Sequence, residues 1–173
     1  MTSQNDVADR TVVVSRVLNA PRDLVFEAWT NPKHMAQWWG PHGFTNPVCE
    51  MDVRAGGRYR VVMHGPKSTE YDQDYPVKGV FLEVVPPEKL VMTDDTSEHP
   101  QDWQEAINPG GKPEDLDSVV TITFEDLGGG KTRVTVSSLF KTKKIRNGFA
   151  DTGMVEGWTQ SLEKLEALLA RLS

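Results

Sequence analysis

The stretch Asp151–Ser173, DTGMVEGWTQSLEKLEALLARLS, decides the fold. Met154, Trp158, Leu162, Leu165, Leu169 and Leu172 recur every three or four residues, with Leu168 beside them. That is the one-sided apolar stripe of an amphipathic helix. Asp151 is placed to cap it, Glu156 lies near the positive end of the helix dipole, and Arg171 lies in the last turn. At 1.5 Å per residue such a helix spans roughly 30 Å, the width of a small domain. Burying six side chains of this kind at ~1.5–3 kcal/mol each gives on the order of 10–15 kcal/mol before chain entropy is subtracted. The rest of the chain must supply the surface that covers them. Gly153, Gly157 and Ser161 fall at successive i+4 positions and form a strip of small residues beside Met154 and Trp158. Glycine inside a helix costs ~1 kcal/mol relative to alanine. The strip therefore implies either close approach of another backbone or a side kept thin to leave room for a ligand.

Working outward, the chain supplies strands. Residues 1–10 read as a loose, flexible tail, and 11–173 as a single domain. Thr11–Leu18 is β-branched and reads as a strand. Pro21 starts a short helix with Leu24, Val25, Ala28 and Trp29 on its apolar side, and Asn31-Pro32 starts a second that ends at Gly40-Pro41. Val48–Val53 is a strand, Ala55-Gly56-Gly57 a hairpin signal, and Arg58–His64 alternates Tyr59, Val61 and Met63 against Arg58, Arg60 and Val62. Gly65–Tyr75 reads as an exposed loop, followed by strands at Val77–Val85 and Lys89–Thr93. Residues 94–116 read as a long irregular excursion in which Trp103 and Ile107 could share one helical turn, either a surface loop or a lid over a pocket. Ser118–Glu125 and Thr132–Leu139 flank Gly128-Gly129-Gly130, a hairpin rather than a phosphate loop. Strands joined without crossover helices make an antiparallel sheet, and its buried face must cover the last helix. The fold class is α+β.

Composition narrows the function. With 173 residues, 38% hydrophobic and 25% charged, the chain is an ordinary globular protein. A net charge of −6 argues against nucleic acid as a partner. The basic cluster Lys141, Lys143, Lys144 and Arg146 reads as a solvated loop, with docking of an acidic partner or a lipid headgroup as the alternative. A single cysteine, Cys49, excludes an internal disulfide and reads as a structural thiol. The polar start and the lack of any long apolar run give no signal peptide and no membrane insertion, so the expected location is cytoplasmic. His34, His42, His64 and His99 are scattered without metal-ligand spacing, so no metal and no cofactor is expected. Glu50 and Asp52 point the same way and read as an exposed acidic strand face, with a general base at a pocket mouth as the alternative. No catalytic residue is assigned.

Five stretches carry a resemblance. They are Ala20-Pro21 with Val25, Phe26 and Trp29-Thr30-Asn31-Pro32; Gln37-Trp38-Trp39-Gly40-Pro41; Arg54-Ala55-Gly56-Gly57-Arg58-Tyr59; Gly79 through Glu88; and Gly153 to Leu169 with Glu156-Gly157-Trp158. Over residues 11 to 172 the sequence resembles the START-like (SRPBCC) superfamily, and within it bacterial homologues of the C-terminal domain of the activator of heat-shock protein 90 ATPase. The resemblance implies the helix-grip (START/Bet v 1-like) fold, with a cavity between the long helix and the sheet that relatives use for apolar molecules. The resemblance also implies a protein-interaction module with a chaperone partner in a stress response as one alternative, and an enzyme of cyclase, hydrolase or dehydratase type using the same cavity stays open as another.

The leading expectation is a hydrophobic small molecule, lipid-like or polycyclic aromatic, bound between helix and sheet. Five tryptophans are many for this length, and concave sites are lined by such side chains. The candidate lining residues are Trp38, Trp39 and Trp103 from the connections, Tyr59, Val61 and Met63 from the alternating strand, and Met154, Gly157, Trp158 and Ser161 from the helix. Access is expected between the Trp38–Pro41 region and the 94–116 excursion.

Overall fold

The computed structural model describes residues 4–172. Strands β1 (Thr11–Leu18), β2 (Thr45–Met51), β3 (Arg58–His64), β4 (Asp74–Val85), β5 (Lys89–Asp94), β6 (Ser118–Gly128) and β7 (Lys131–Phe140) form one sheet in the order β1-β7-β6-β5-β4-β3-β2. Every pairing is antiparallel. Alternation sets the two faces: Val120, Ile122 and Phe124 of β6 and Val134 and Val136 of β7 are buried, with exposed or half-buried residues between them. The buried face closes over a 19-residue helix, α6 (Met154–Leu172), about 28 Å long at 1.5 Å per residue. Its Leu162, Leu165, Leu168 and Leu169 are all buried. Leu172, counted in the stripe from sequence, is 39% exposed at the last residue of the helix.

Helices α2 (Arg22–Thr30) and α3 (Pro32–Trp38) follow β1. Asn31 ends the first and caps the second, its side chain accepting a hydrogen bond from the Lys33 amide at 3.0 Å, with Pro32 in the first turn. This pair fills one end of the core with tryptophan. Trp29 packs on Trp38 at 4.7 Å and Trp39 at 6.3 Å between ring centres, and Trp158 stacks on Trp29 at 5.9 Å and 14°.

Five sequence expectations need correction. Gln4–Asp9, expected as part of a loose tail, is a short helix, α1, held to the following turn by the Asp6–Arg10 ion pair; residues 1–3 lie outside the described residues. The long C-terminal helix does not begin at Asp151. That residue ends a separate helix, α5 (Lys143–Asp151), capped by Thr142, and Gly153 at φ +91° makes the joint between the two. The basic cluster is thus largely helical rather than loop. The excursion after β5 contains helix α4 (Gln101–Ile107) and a 3-10 turn (Pro113–Leu116), which build a second small core with α5 from Ile107, Leu116, Ile145 and Phe149. Finally, Tyr75, expected in an exposed loop, belongs to β4 and is buried.

Candidate functional site

Among the described residues, two hollows stand out. The larger, about 930 Å³, lies along the sheet side that carries Glu50, Arg58, Arg60, Lys78 and Asp95. Two of its cations are paired, with Arg60 at 2.7 Å and Lys78 at 3.2 Å from Glu98 beside it. Mixed, solvated charges of both signs are the ordinary finish of an outer sheet face. Glu50 is exposed there and Asp52 pairs with Arg54 at 2.8 Å, as the surface reading of these two acids expects.

The second hollow, about 650 Å³, has a different character. It lies where the first turns of α6, the α3–β2 connection, the ends of β3 and β4, and the α4–α5 cover converge. Trp39 and Trp158 meet edge to face at 5.3 Å on one wall. Trp103 stands on the other, 4.2 Å from the His99 ring and 5.6 Å from Phe149. Phe44 and Tyr75, 5.8 Å apart, close a third side with Met63. A cavity of this size and aromatic lining falls in the range used for small-molecule sites.

Seven of the ten residues singled out from sequence line this cavity: Trp39, Met63, Trp103, Met154, Gly157, Trp158 and Ser161. Three do not. Trp38 is fully buried, its indole donating to the Ala28 carbonyl at 3.0 Å, so the outward choice between adjacent tryptophans falls to Trp39. Val61 is wholly enclosed in the main core. Tyr59 pairs opposite Gly79, and its hydroxyl donates to the Thr93 carbonyl at 2.7 Å and to the Asp94 carboxylate. A Cβ on Gly79 would lie 1.9 Å from that same carbonyl, so β4 can approach β5 this closely only at a glycine.

The small strip resolves in the same way. Gly153 is the inter-helix joint. A Cβ on Gly157 would meet nothing nearer than Pro41 Cγ at 3.8 Å, so no neighbouring backbone demands a glycine there. Its bare side faces the cavity. Ser161 is buried and turns its hydroxyl back to the Gly157 carbonyl at 3.0 Å, which leaves it no donor for a guest.

Sequence reasoning missed Phe44, Tyr75, Thr96, His99 and Phe149 on the wall. Each sits in a connection or at an element end, where no periodicity marks which way a side chain turns.

One lysine holds the mouth in place. Lys164 Nζ, half-buried on α6, lies 3.2–3.4 Å from the carbonyls of Trp39, Gly40, Pro41 and Phe44. The ammonium thus ties the α3–β2 connection to the helix, and burial lowers its pKa. Two further groups are shifted by burial. Asp94, at the cavity edge, is pushed up to about 6, against the hydrogen bond from Tyr59, which favours its ionised form. His99 is pushed down to about 4 and is neutral at pH 7. Cys49 is half-buried and raised to about 11 by desolvation and by Glu50, as befits a structural thiol. Among the described residues no cluster of three or more His, Cys, Asp or Glu could hold a metal, and no helix is long and apolar enough to cross a membrane.

A seven-stranded antiparallel sheet closed over one long C-terminal helix, with two short helices after the first strand and a cavity beside the helix, defines a START-like helix-grip protein. The model of the family described as "Activator of Hsp90 ATPase homolog 1-like protein" matches residues 19–170, and the chain belongs to that family. Among solved structures, the chain is 26% identical to a protein from Nitrosomonas europaea, with a TM-score of 0.76 and coverage of 95% of this chain and 96% of the other. It is 30% identical to one from Chromobacterium violaceum, with a TM-score of 0.68 and coverage of 91% and 96%. A protein from Mycobacterium smegmatis, 23% identical with a TM-score of 0.77 and coverage of 97% and 96%, shares the fold. No curated protein matches.

Proposed function

We propose that this protein binds an apolar or amphipathic small molecule, lipid-like or polycyclic aromatic, in the cavity between α6 and the sheet. The observation that carries the reading is the aromatic wall of Trp39, Trp103 and Trp158 around about 650 Å³, beside a glycine that no packing neighbour requires. Binding would draw on the removal of ligand surface from water, at ~25 cal/mol per Å² of apolar area. Tryptophan emission is the natural reporter, because three of the five indoles stand at the site. Titration with a fatty acid, a sterol and a polycyclic aromatic should give a saturable change in emission for at least one class. No saturable change with any of the three up to millimolar concentration would sink the reading.

The family description favours a second reading, a protein-interaction module acting on a chaperone ATPase. The basic segment is its nearest candidate surface, yet two of its four cations are engaged within the chain. Lys141 Nζ donates to the Glu114 carbonyl at 2.6 Å and Arg146 to the Thr11 carbonyl at 3.3 Å. Salt-sensitive association with a chaperone, unchanged when the cavity is filled, would favour this second reading.

A further inference from the structure

The two lips of the cavity are held differently. Lys164 fixes the α3–β2 lip through backbone carbonyls. The facing lip is the β3–β4 loop, residues 65–73, which brings Pro66 and Tyr71 to the cavity wall. Tyr71 is 49% exposed and so stands at the rim, where its ring meets Phe44 of the other lip at 6.2 Å. The loop is a self-contained body. Thr69 Oγ1 donates to the Pro66 carbonyl at 2.7 Å and accepts from the Tyr71 amide at 3.1 Å. The Asp72 amide donates to the Thr69 carbonyl at 3.1 Å, and Asp72 Oδ2 accepts from the Ser68 amide at 3.1 Å. At the neck the Gly65 amide reaches the Gln73 carbonyl at 3.3 Å. A body bonded locally and attached at a narrow neck can pivot without unfolding.

His64, the last residue of β3, fastens that body to the sheet. Its Nε2 lies 2.8 Å from Asp72 Oδ1 in the loop, and its Nδ1 lies 2.7 Å from Asp74 Oδ1 on β4. A carboxylate only accepts, so both bonds form together only when both ring nitrogens carry a proton. A neutral ring has one N–H and turns a lone pair towards the second carboxylate. The fold decides which bond then fails. Asp74 is paired opposite His64 in the β3–β4 ladder and is held there, whereas Asp72 belongs to the loop. These two are the charged groups that act on the ring; Thr45, opposite it on β2, is uncharged, while Lys67 acts on Asp72 and Glu70 on Tyr71. Asp74 and then Asp72 raise the histidine above its ordinary 6.5, so the double contact is full below that value and is lost as pH rises through the folded one. Asp72 is lowered, by His64 first and then by the Ser68 amide, and stays an acceptor throughout.

We propose that His64 is a proton-operated latch on the cavity: charged, it holds the 65–73 loop across the rim; neutral, it releases Asp72 and lets Tyr71 leave Phe44. The proposal rests on the cavity being a ligand site and adds how access to it is regulated. The test uses the whole chain and naphthalene, which carries no titratable group, between about pH 6.5 and 9. Asp94 and His99 titrate below this window, at about 6 and about 4. Two readouts are followed against the His64 ring signals: the NOE between the Tyr71 and Phe44 rings in the free protein, and the rate at which naphthalene leaves, read from tryptophan emission. With the midpoint of His64 itself, the NOE should weaken and the rate should rise about two- to fivefold, the range that an exposed ion pair supplies. Asp72→Asn, whose amide can bond either form of the ring, and His64→Gln should each flatten both pH profiles. An NOE that ignores the His64 titration, or a rate change that survives Asp72→Asn, overturns the latch and leaves the cavity standing. If naphthalene does not bind, the cavity reading falls and the latch, as a gate on it, falls too.

Discussion

Trp158 and Trp38 are both expected from sequence at a pocket, but the fold gives them different surroundings, and truncating each to alanine should reveal the difference. Trp38 is fully buried, packs on Trp29 and Trp39, and donates its indole N–H to Ala28. Its loss creates an enclosed void and leaves a carbonyl unpaired, so Trp38→Ala should cost at least the ~3–5 kcal/mol typical of a buried aromatic. Trp158 is half-buried, with one side against Trp29 and Trp39 and the other towards space that is already open. About half of the burial is at stake, plus two ring contacts worth about 0.5–1.5 kcal/mol each. Trp158→Ala should therefore cost about 2–3 kcal/mol. In a chain of this size that lowers Tm by roughly 4–12 °C. Urea unfolding of the two variants beside the parent, read by circular dichroism, measures both costs, and an unchanged slope would show that the unfolded reference has not moved. A Trp158→Ala cost equal to or above that of Trp38→Ala would mean that Trp158 is core and not wall, and the assignment of the cavity's inner side would be wrong.

Other consequences are smaller. Lys164→Met keeps the packing stem and removes the ammonium from four carbonyls; hydrogen exchange over residues 39–44 should speed several-fold, and unchanged protection would show that the tether is idle. Gly153→Ala forces alanine to φ +91° and should destabilise by about 1–2 kcal/mol. Gly157→Ala, with open space around its Cβ, should be neutral or stabilise by up to ~1 kcal/mol, and the reverse order of these two glycine variants would refute the joint. His64 lies between the carboxylates of Asp74 at 2.7 Å and Asp72 at 2.8 Å, which raise its pKa while it lowers that of Asp72. The histidine's contribution is full below its ordinary value of about 6.5 and is lost as pH rises through the higher folded value. Asp72 contributes above its unfolded value and loses that contribution as pH falls through its lower folded one. NMR titration should find His64 above the ordinary histidine range, and Asp72→Asn with Asp74→Asn should bring it back.

Much of the fold was legible because long apolar periodicities leave few alternatives. β1 and β3 begin and end where alternation and β-branching place them, and Asn31-Pro32 marks a helix start that the structure keeps. The break between α5 and α6 was not legible. Lys143–Asp151 carries glycine and asparagine within a basic segment, and only packing of Ile145 and Phe149 on the second core makes it helical. Trp39, Trp158 and Gly157 could be chosen from their spacing and size. His99 and Thr96 could not, because both sit in a connection, where no local pattern shows which way a side chain turns.

The most direct test follows naphthalene by amide-resolved NMR on the parent and on Gly157→Phe, which places a ring in the space beside Pro41. Saturable shifts gathered on residues 39–44, 96–103 and 153–161 in the parent, and abolished in the plugged variant, are the expected result. Shifts that survive the plug, or that gather instead on Glu50, Arg58 and Lys78 along the charged sheet groove, would contradict the cavity as the binding site.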